Sequence, residues 1–335
     1  MQIRQPYLLF LGEAADMLAA KTSIGVAEWR PEACVGQLRL PGCKADAKLP
    51  NMTVEQAARA GAKTMIVGVT NRGGVFSKAW VDIMTEALDR GMDLASGLHD
   101  KLSDLPEVAA KAKALGRTLF DVRHPDRDFP IATGAKRPGK RLLTVGTDCS
   151  IGKMFTALAL ERELKRRGAP CDFRATGQTG ILIAGQGYSI DAIVSDFVAG
   201  AVEVIAPANK PDHWDLIEGQ GSLFHASYAG VTLALIHGAQ PDALVVCHEP
   251  GRPHMRGLPH YKLPDLGLCI ERNVEAAKLT NQKARCVGIS LNTSKLDAKK
   301  ADRAIKSTAD KHGLPVVDPA RTGVGPIADK LLRMR

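Results

Sequence analysis

The amino-acid sequence predicts an α/β protein of two domains, each built around a parallel β-sheet. Two observations predict this class. Strand-like and helix-like segments alternate along the chain, and a stretch rich in proline and glycine divides it near residue 130. A repeated β-α-β order is typical of parallel sheets, because a helical crossover lets the next strand run in the same direction. The length of 335 residues also suits about two domains.

The first half, residues 1–130, is predicted to be a Rossmann-like domain. Its clearest segments alternate between strand and helix patterns: YLLFLG (7–12), TVEQAARAGA (53–62), TMIVGV (64–69) and SKAWVDIMTEALDRG (77–91). Thr53 is expected to cap the first helix, and Gly91 is expected to end the second. No G-x-G-x-x-G motif follows the first strand, so the sequence does not indicate dinucleotide binding.

The second half, residues 142–335, is predicted to be a doubly wound P-loop-type domain, preceded by a linker over 131–141. Its predicted strands are RLLTVG, CDFRATG (171–177), WDLIEG (214–219), ALVVCHE (243–249), CVGISLN (286–292) and LPVVD. Helices are predicted over 152–167, 189–205, 228–238 and 296–312. In such domains ligands bind beyond the carboxyl ends of the strands, so we expect the site there.

Composition argues against nucleic-acid and membrane proteins. The net charge is +9, but the basic residues are scattered, and aromatic residues are only 4% of the chain, too few for base-stacking platforms. No apolar run approaches the roughly 18 residues of a membrane span, and no secretory leader is indicated. The seven cysteines form no C-x-x-C pair, which is typical of a reducing cytoplasm. We expect a cytoplasmic protein.

The sequence GTDCSIGKM, residues 146–154, has the features of a phosphate-binding loop. Five residues separate Gly146 from Gly152-Lys153, one more than in the common Walker A motif. Glycines let the chain curl so that amides point inward, the following helix presents its N-terminus, and Lys153 adds positive charge. We expect the whole loop to bind cofactor phosphates: Gly146, Thr147, Asp148, Cys149, Ser150, Ile151, Gly152, Lys153 and Met154.

Met154 stands where such loops usually carry the serine or threonine that binds Mg²⁺. Mg²⁺ prefers hard oxygen ligands, so a thioether is no substitute, and phosphoryl transfer depends on that metal. A loop that keeps its amides and Lys153 can still hold a diphosphate that is not cleaved. Coenzyme A is such a ligand, and we expect no metal.

Polar residues in other strand-end loops are candidates for holding a second substrate. Arginine pairs bidentately with carboxylates, and amide and hydroxyl groups hydrogen-bond them. The candidates are Asn71, Arg72, Gln178, Thr179, Arg252, His254 and Arg256. The histidines of the loop after residue 247 lack a convincing metal-ligand spacing, so we predict no zinc site.

Two resemblances follow from these motifs. The GTD…GK loop with the turn LIEGQGS resembles dethiobiotin synthetase and its relatives, with Glu218 in the acidic position of the turn. The segments GVTNRGG, VGTDCSIGKM, GQTG, SDFVAGA, EGQGSL and HGAQPDALVVCH resemble, nearly end to end, a two-domain family catalogued as a domain of unknown function. That family includes a D-glutamate N-acetyltransferase. The resemblance implies transfer of acetyl from acetyl-CoA to the amine of D-glutamate.

Acyl transfer requires an amine that has lost its proton, so a base must lie within reach. Glu218 is the first candidate base and Asp148 the second. An ATP- and Mg²⁺-dependent ligase or kinase like dethiobiotin synthetase remains an alternative, as does a non-catalytic nucleotide- or CoA-sensing module. We expect a homo-oligomer with a small-molecule substrate.

Overall fold

The computed structural model describes residues 1–69 and 76–334, which form two compact units. The first unit contains Met1–Asp128 and Gly177–Ala192. The second contains Phe129–Thr176 and the chain from Ile193 onward. In the described ranges, no helix combines the length and apolar character needed to span a bilayer.

The first unit is built around a five-stranded sheet in the order β2-β1-β3-β4-β5, and every neighbouring pair is parallel. Its strands are β1 Tyr7–Gly12, β2 Cys34–Arg39, β3 Thr64–Val67, β4 Asp93–Ser96 and β5 Leu119–Asp121. Its helices before the crossing into the second unit are α1 Lys21–Trp29, α2 Val54–Arg59, α3 Lys78–Asp89 and α4 Pro106–Leu115. This is the Rossmann-like arrangement that the sequence predicts.

Local sequence explains where several of these elements begin. All six residues of β1 are buried, as expected for a strand covered on both faces. Thr53 caps α2 as predicted, because its side chain accepts the backbone N–H of Gln56. The side chain of Gln56 in turn accepts the backbone N–H of Thr53. The hydroxyl of Ser77 accepts the backbone N–H of Trp80 and starts α3 in the same way.

The second unit is built around a parallel six-stranded sheet in the order β11-β10-β9-β6-β8-β7. Its strands are β6 Lys140–Gly146, β7 Cys171–Arg174, β8 Trp214–Ile217, β9 Ala243–His248, β10 Arg285–Leu291 and β11 Val316–Val317. The helices from residue 153 onward are α5 Lys153–Arg166, α6 Gln178–Ala184, α7 Ser195–Ile205, α8 Ala229–Ala239, α9 Leu266–Lys278, α10 Ala298–His312 and α11 Gly325–Leu332. The α/β prediction is confirmed.

The segment Gly177–Ala192 differs from the sequence interpretation. We expected Gln178 and Thr179 to lie in a strand-end loop, but this stretch contains α6 and belongs to the first unit. The apolar residues GILI provide the reason, because residues 180–183 are all buried. Ile183 packs close to Gly25 of α1, where an added Cβ would lie 3.7 Å from its Cδ1.

The order of the second sheet determines which loops meet. Strand β6 lies between β9 and β8, and all three run in the same direction. The loops that follow them therefore leave the same edge of the sheet, at its carboxyl end. Gly219, just after β8, lies so close to β6 that an added Cβ would be 1.6 Å from the carbonyl oxygen of Thr144.

We expect Gly219→Ala to lower the free energy of unfolding by about 1 to 3 kcal/mol or more, because the methyl group cannot fit without moving a central strand. Gly230→Ala is the matched control, since nothing lies within 4 Å of a Cβ added there. In α8 that change should be neutral or stabilise by up to about 1 kcal/mol. Urea denaturation measures both, and equal stabilities would contradict the close approach.

Candidate functional site

The loop between β6 and α5 is shaped by glycine at both ends. Gly152, the N-cap of α5, has a left-handed φ of 106°. An added Cβ at Gly146 would lie 2.5 Å from the carbonyl oxygen of Cys247 in β9. Between them, Ser150 has a φ of 51°, which is uncommon for a residue with a side chain. The loop is therefore tightly curled against the neighbouring strand.

Lys153 supplies the positive charge inside this loop. It is buried at the start of α5, and its Nζ donates to the carbonyl oxygen of Asp148 at 2.7 Å. Burial lowers the pKa of Lys153. Met154 follows, and its thioether is not a ligand that Mg²⁺ accepts. The residues present suit an anion, but they do not fit the magnesium ligand set of a nucleotide-cleaving loop.

Asp148 ties the loop to the segment that follows β9. Its side chain is fully buried. Oδ1 accepts the backbone N–H of Cys149 at 2.7 Å, and Oδ2 accepts Nη1 of Arg252 at 2.6 Å and the backbone N–H of Arg256 at 2.9 Å. These contacts favour a structural role for Asp148. Its assignment as a second catalytic base stays a prediction.

Arg252 is committed to the protein rather than open to a ligand. Its two Nη atoms donate to four acceptors: the carboxylates of Asp148 and Glu249 and the carbonyl oxygens of Cys149 and Ser150. Each Nη carries two N–H groups, so these four bonds use all of them. Burial alone would lower the pKa of Arg252, but the ion pairs with Glu249 and Asp148 raise it.

His254 and Arg256, also predicted to bind substrate, have exposed side chains. Nδ1 of His254 lies 3.1 Å from the carbonyl oxygen of the adjacent Met255. The guanidinium of Arg256 contacts the hydroxyl of Ser150 in the phosphate loop. Of the three residues predicted after β9, Arg252 and Arg256 therefore lie at the loop, and their roles as substrate ligands stay predictions.

Glu218 directly follows β8 and is almost fully buried. Its Oε2 accepts the backbone N–H of Thr176 at 3.0 Å, and its carbonyl oxygen accepts the Thr176 hydroxyl at 2.6 Å. An added Cβ at Gly219 would lie 3.1 Å from Cδ of Lys153. The turn at Glu218 is therefore beside Lys153. Its assignment as catalytic base stays a prediction.

The remaining predicted substrate residues lie outside the second unit or outside the described ranges. Gln178 and Thr179 form the first turn of α6 in the first unit, and both are half-buried. An added Cβ at Gly97 would lie 3.2 Å from Cβ of Gln178. Asn71 and Arg72 lie outside the described residues, and their role also stays a prediction.

Two histidines at the loop were not among the predicted site residues. His248 ends β9, and its Nδ1 lies 2.9 Å from Oγ1 of Thr147. His225 is buried, with Nε2 3.0 Å from the carbonyl oxygen of Arg256 and Nδ1 accepting the backbone N–H of Ser227 at 3.1 Å. The position of His248 at the end of a predicted strand was the available signal.

Asp148, Cys149 and His225 each bring one possible metal-ligand atom within 4.8 Å of the others. Both carboxylate oxygens of Asp148 and both ring nitrogens of His225 already have partners in the protein. Burial raises the pKa of Cys149, although Lys153 opposes the shift. These contacts do not favour a metal site or a reactive thiolate here.

The fold and the loop together define an α/β protein in which a Rossmann-like domain is joined to a P-loop domain that can hold an anion. The chain belongs to the DUF1611 family of proteins with a domain of unknown function. The family's P-loop domain, DUF1611_C, matches residues 130–328, and its Rossmann-like domain, DUF1611_N, matches residues 38–125.

Three relatives extend this assignment over the whole chain. A protein of Tritonibacter scottomollicae named D-glutamate N-acetyltransferase is 56% identical over 329 residues, which is 98% of this chain and 99% of the relative. A protein of a Pseudoalteromonas species with the same name is 48% identical over 99% of this chain and 100% of its own length. The crystal structure of a DUF1611 family protein from Anabaena variabilis matches with a TM-score of 0.83, at 32% identity, over 99% of this chain and 100% of its own.

His248 should be neutral at pH 7, since burial lowers its pKa from the ordinary value of 6.5 and Arg252 opposes the rise caused by Glu249. Between the lowered pKa of folded His248 and 6.5, the unfolded chain binds more protons than the folded chain. The free energy of unfolding therefore rises with pH in that window, and this contribution is lost as the pH falls through it. His248→Gln should reduce this dependence in urea unfolding at pH 7 and pH 5. An NMR titration that places the pKa of His248 above 6.5 would contradict the burial argument.

Proposed function

We propose that this protein transfers an acetyl group from acetyl-CoA to the amine of D-glutamate. The observation that carries the proposal is the loop of residues 146–154, which offers the N-terminus of α5 and Lys153 but has Met154 at the metal-binding position. The name of the two bacterial relatives, D-glutamate N-acetyltransferase, indicates the group that is transferred and its acceptor. An intact diphosphate, as in CoA, suits a loop of this kind.

In the proposed reaction the amine nitrogen attacks the carbonyl carbon of the thioester, and the carbon–sulfur bond breaks. The nitrogen loses one proton, and the sulfur of CoA leaves as a thiol after gaining one proton. The phosphates of CoA take no part in these bond changes. Their contact with the loop contributes binding energy only, so the missing metal ligand costs the reaction nothing. We assign the loop to the donor's phosphates.

This assignment affects the role proposed for Glu218. In acetyl-CoA the pantetheine arm separates the phosphates from the thioester, whereas the turn at Glu218 lies beside Lys153. A base in this turn is therefore poorly placed to take a proton from an amine at the thioester. We propose that Glu218 holds the turn beside Lys153 in place, through its bond to the backbone N–H of Thr176, which follows β7.

We also propose that the protein works in the cytoplasm as a homo-oligomer, without nucleic acid or membrane. All seven cysteines are free thiols in the structure, which agrees with a reducing compartment. Apolar side chains at helices α7 and α8 are exposed and could be covered by a second copy of the chain: Val194, Phe197, Tyr228 and Leu233.

The direct test is an assay of the purified protein with acetyl-CoA and a panel of amino acids, in the presence and absence of EDTA. We expect N-acetylation of D-glutamate at the same rate with EDTA, because Met154 offers no magnesium ligand. D-Alanine should react much more slowly, since a site that pairs the side-chain carboxylate would be left with an unpaired cation. ATP dependence or loss of activity with EDTA would favour a ligase or kinase instead.

A comparison of Lys153→Ala and Glu218→Gln tests the roles at the loop. Lys153→Ala should raise KM for acetyl-CoA by roughly tenfold to a hundredfold, as expected for a charge-assisted contact of about 1.5 to 3 kcal/mol. It should not change KM for S-acetyl-pantetheine, which lacks the phosphates. We expect Glu218→Gln to follow the same pattern. A fall in kcat with both donors, by about two to four orders of magnitude, would instead show that Glu218 is the base.

A further inference from the structure

We infer that Arg256 is a ligand of the donor's diphosphate, whereas Arg252 positions the loop and does not touch the donor. This inference rests on the proposed function, because it takes the anion of the loop to be the phosphates of acetyl-CoA. It gives different roles to two arginines that the sequence predicts to act alike, as partners of an acceptor carboxylate.

Arg252 has no capacity left on its outer nitrogen atoms. Its four Nη hydrogen bonds go to Asp148, Glu249 and two loop carbonyl groups. The side chain is 13% exposed, Asp148 is fully buried and Glu249 is 4% exposed. Turning Arg252 toward a ligand would leave two buried carboxylates short of a partner, which is costly. Arg252 is therefore a positioning residue.

Arg256 has the opposite arrangement, with a fixed backbone and an uncommitted side chain. Its backbone N–H donates to Asp148 at 2.9 Å, and its carbonyl oxygen lies 3.0 Å from Nε2 of the buried His225. Its guanidinium contacts the Ser150 hydroxyl of the phosphate loop, and in the described part of the chain it pairs with no carboxylate. A neutral hydroxyl is a weak partner that a phosphate would replace.

The charges near the loop favour the same division. Asp148 and Glu249 are balanced by Arg252 and by Lys295, whose Nζ lies 2.6 Å from Oε1 of Glu249. Among the described residues that contact the loop, Lys153 and Arg256 are then the cations without a carboxylate partner. Arginine binds phosphate oxygens with two parallel N–H groups, so an exposed guanidinium anchored over a phosphate loop suits a diphosphate.

The test measures KM for two donors, acetyl-CoA and S-acetyl-pantetheine, in Arg256→Gln and Arg256→Lys. Arg256→Gln should raise KM for acetyl-CoA by roughly tenfold to a hundredfold, with kcat unchanged and no effect on S-acetyl-pantetheine. Arg256→Lys should recover part of the loss. The control is Arg285→Gln, which removes an exposed arginine from the amino end of β10, away from the loop, and should change neither donor's KM.

Arg252→Gln provides the contrast. It should lower Tm by several degrees and weaken the contacts that Arg252 and Arg256 make with the loop. Arg256→Gln, in contrast, should keep the wild-type Tm. If Arg256→Gln raised KM for D-glutamate with either donor, Arg256 would be an acceptor ligand and the inference would be wrong. Unchanged kinetics with both donors would also overturn it.

Calorimetric titration of CoA and of pantetheine separates failure of this inference from failure of the proposed function. Tight CoA binding that weakens about tenfold or more in Arg256→Gln, with no change for pantetheine, supports the inference even if no acetyl transfer is found. Acetyl transfer by the wild-type protein, with CoA bound equally well by wild type and Arg256→Gln, would keep the function and reject the role of Arg256.

Discussion

The ion pair between Asp148 and Arg252 is the interaction on which the site depends. It joins the loop after β6 to the segment after β9, 104 positions apart in the sequence, at 2.6 Å. A buried carboxylate without a partner would be strongly unfavourable, and removal of one member of such a pair typically costs about 3 to 5 kcal/mol. The pair therefore holds the loop against the segment after β9, where Asp148 also accepts the backbone N–H of Arg256.

The parts of the fold that depend on local pattern were predictable from the sequence. Strand β1 has the predicted limits because its six residues are continuously apolar, and α5 starts after Gly152, where the glycine spacing ends. Strand β8 ends at Ile217 rather than at residue 219. There, side-chain and hydroxyl bonds between Glu218 and Thr176 accompany the end of the strand, and periodicity does not reveal such bonds.

The parts that depend on distant contacts could not be predicted in this way. The pattern around Arg252 indicated a basic loop suited to carboxylates, but its actual partners are a buried carboxylate in another loop and one three residues away. His248 could be recognised as the end of a strand, yet its bond to Thr147 follows only from the order of β6 and β9 in the sheet. The loss of the magnesium-binding hydroxyl, in contrast, could be predicted from the single residue Met154.

The path of the chain has a consequence for how such proteins can arise. The chain leaves the second unit after Thr176, contributes α6 to the first unit, and returns at Ile193. Three covalent crossings therefore link the units where a simple tandem arrangement would have one. A recombination event that replaced the chain before the proline-rich boundary would separate α6 from the rest of the first unit, because α6 lies within the sequence of the second domain. The relatives matched along their full length carry both halves.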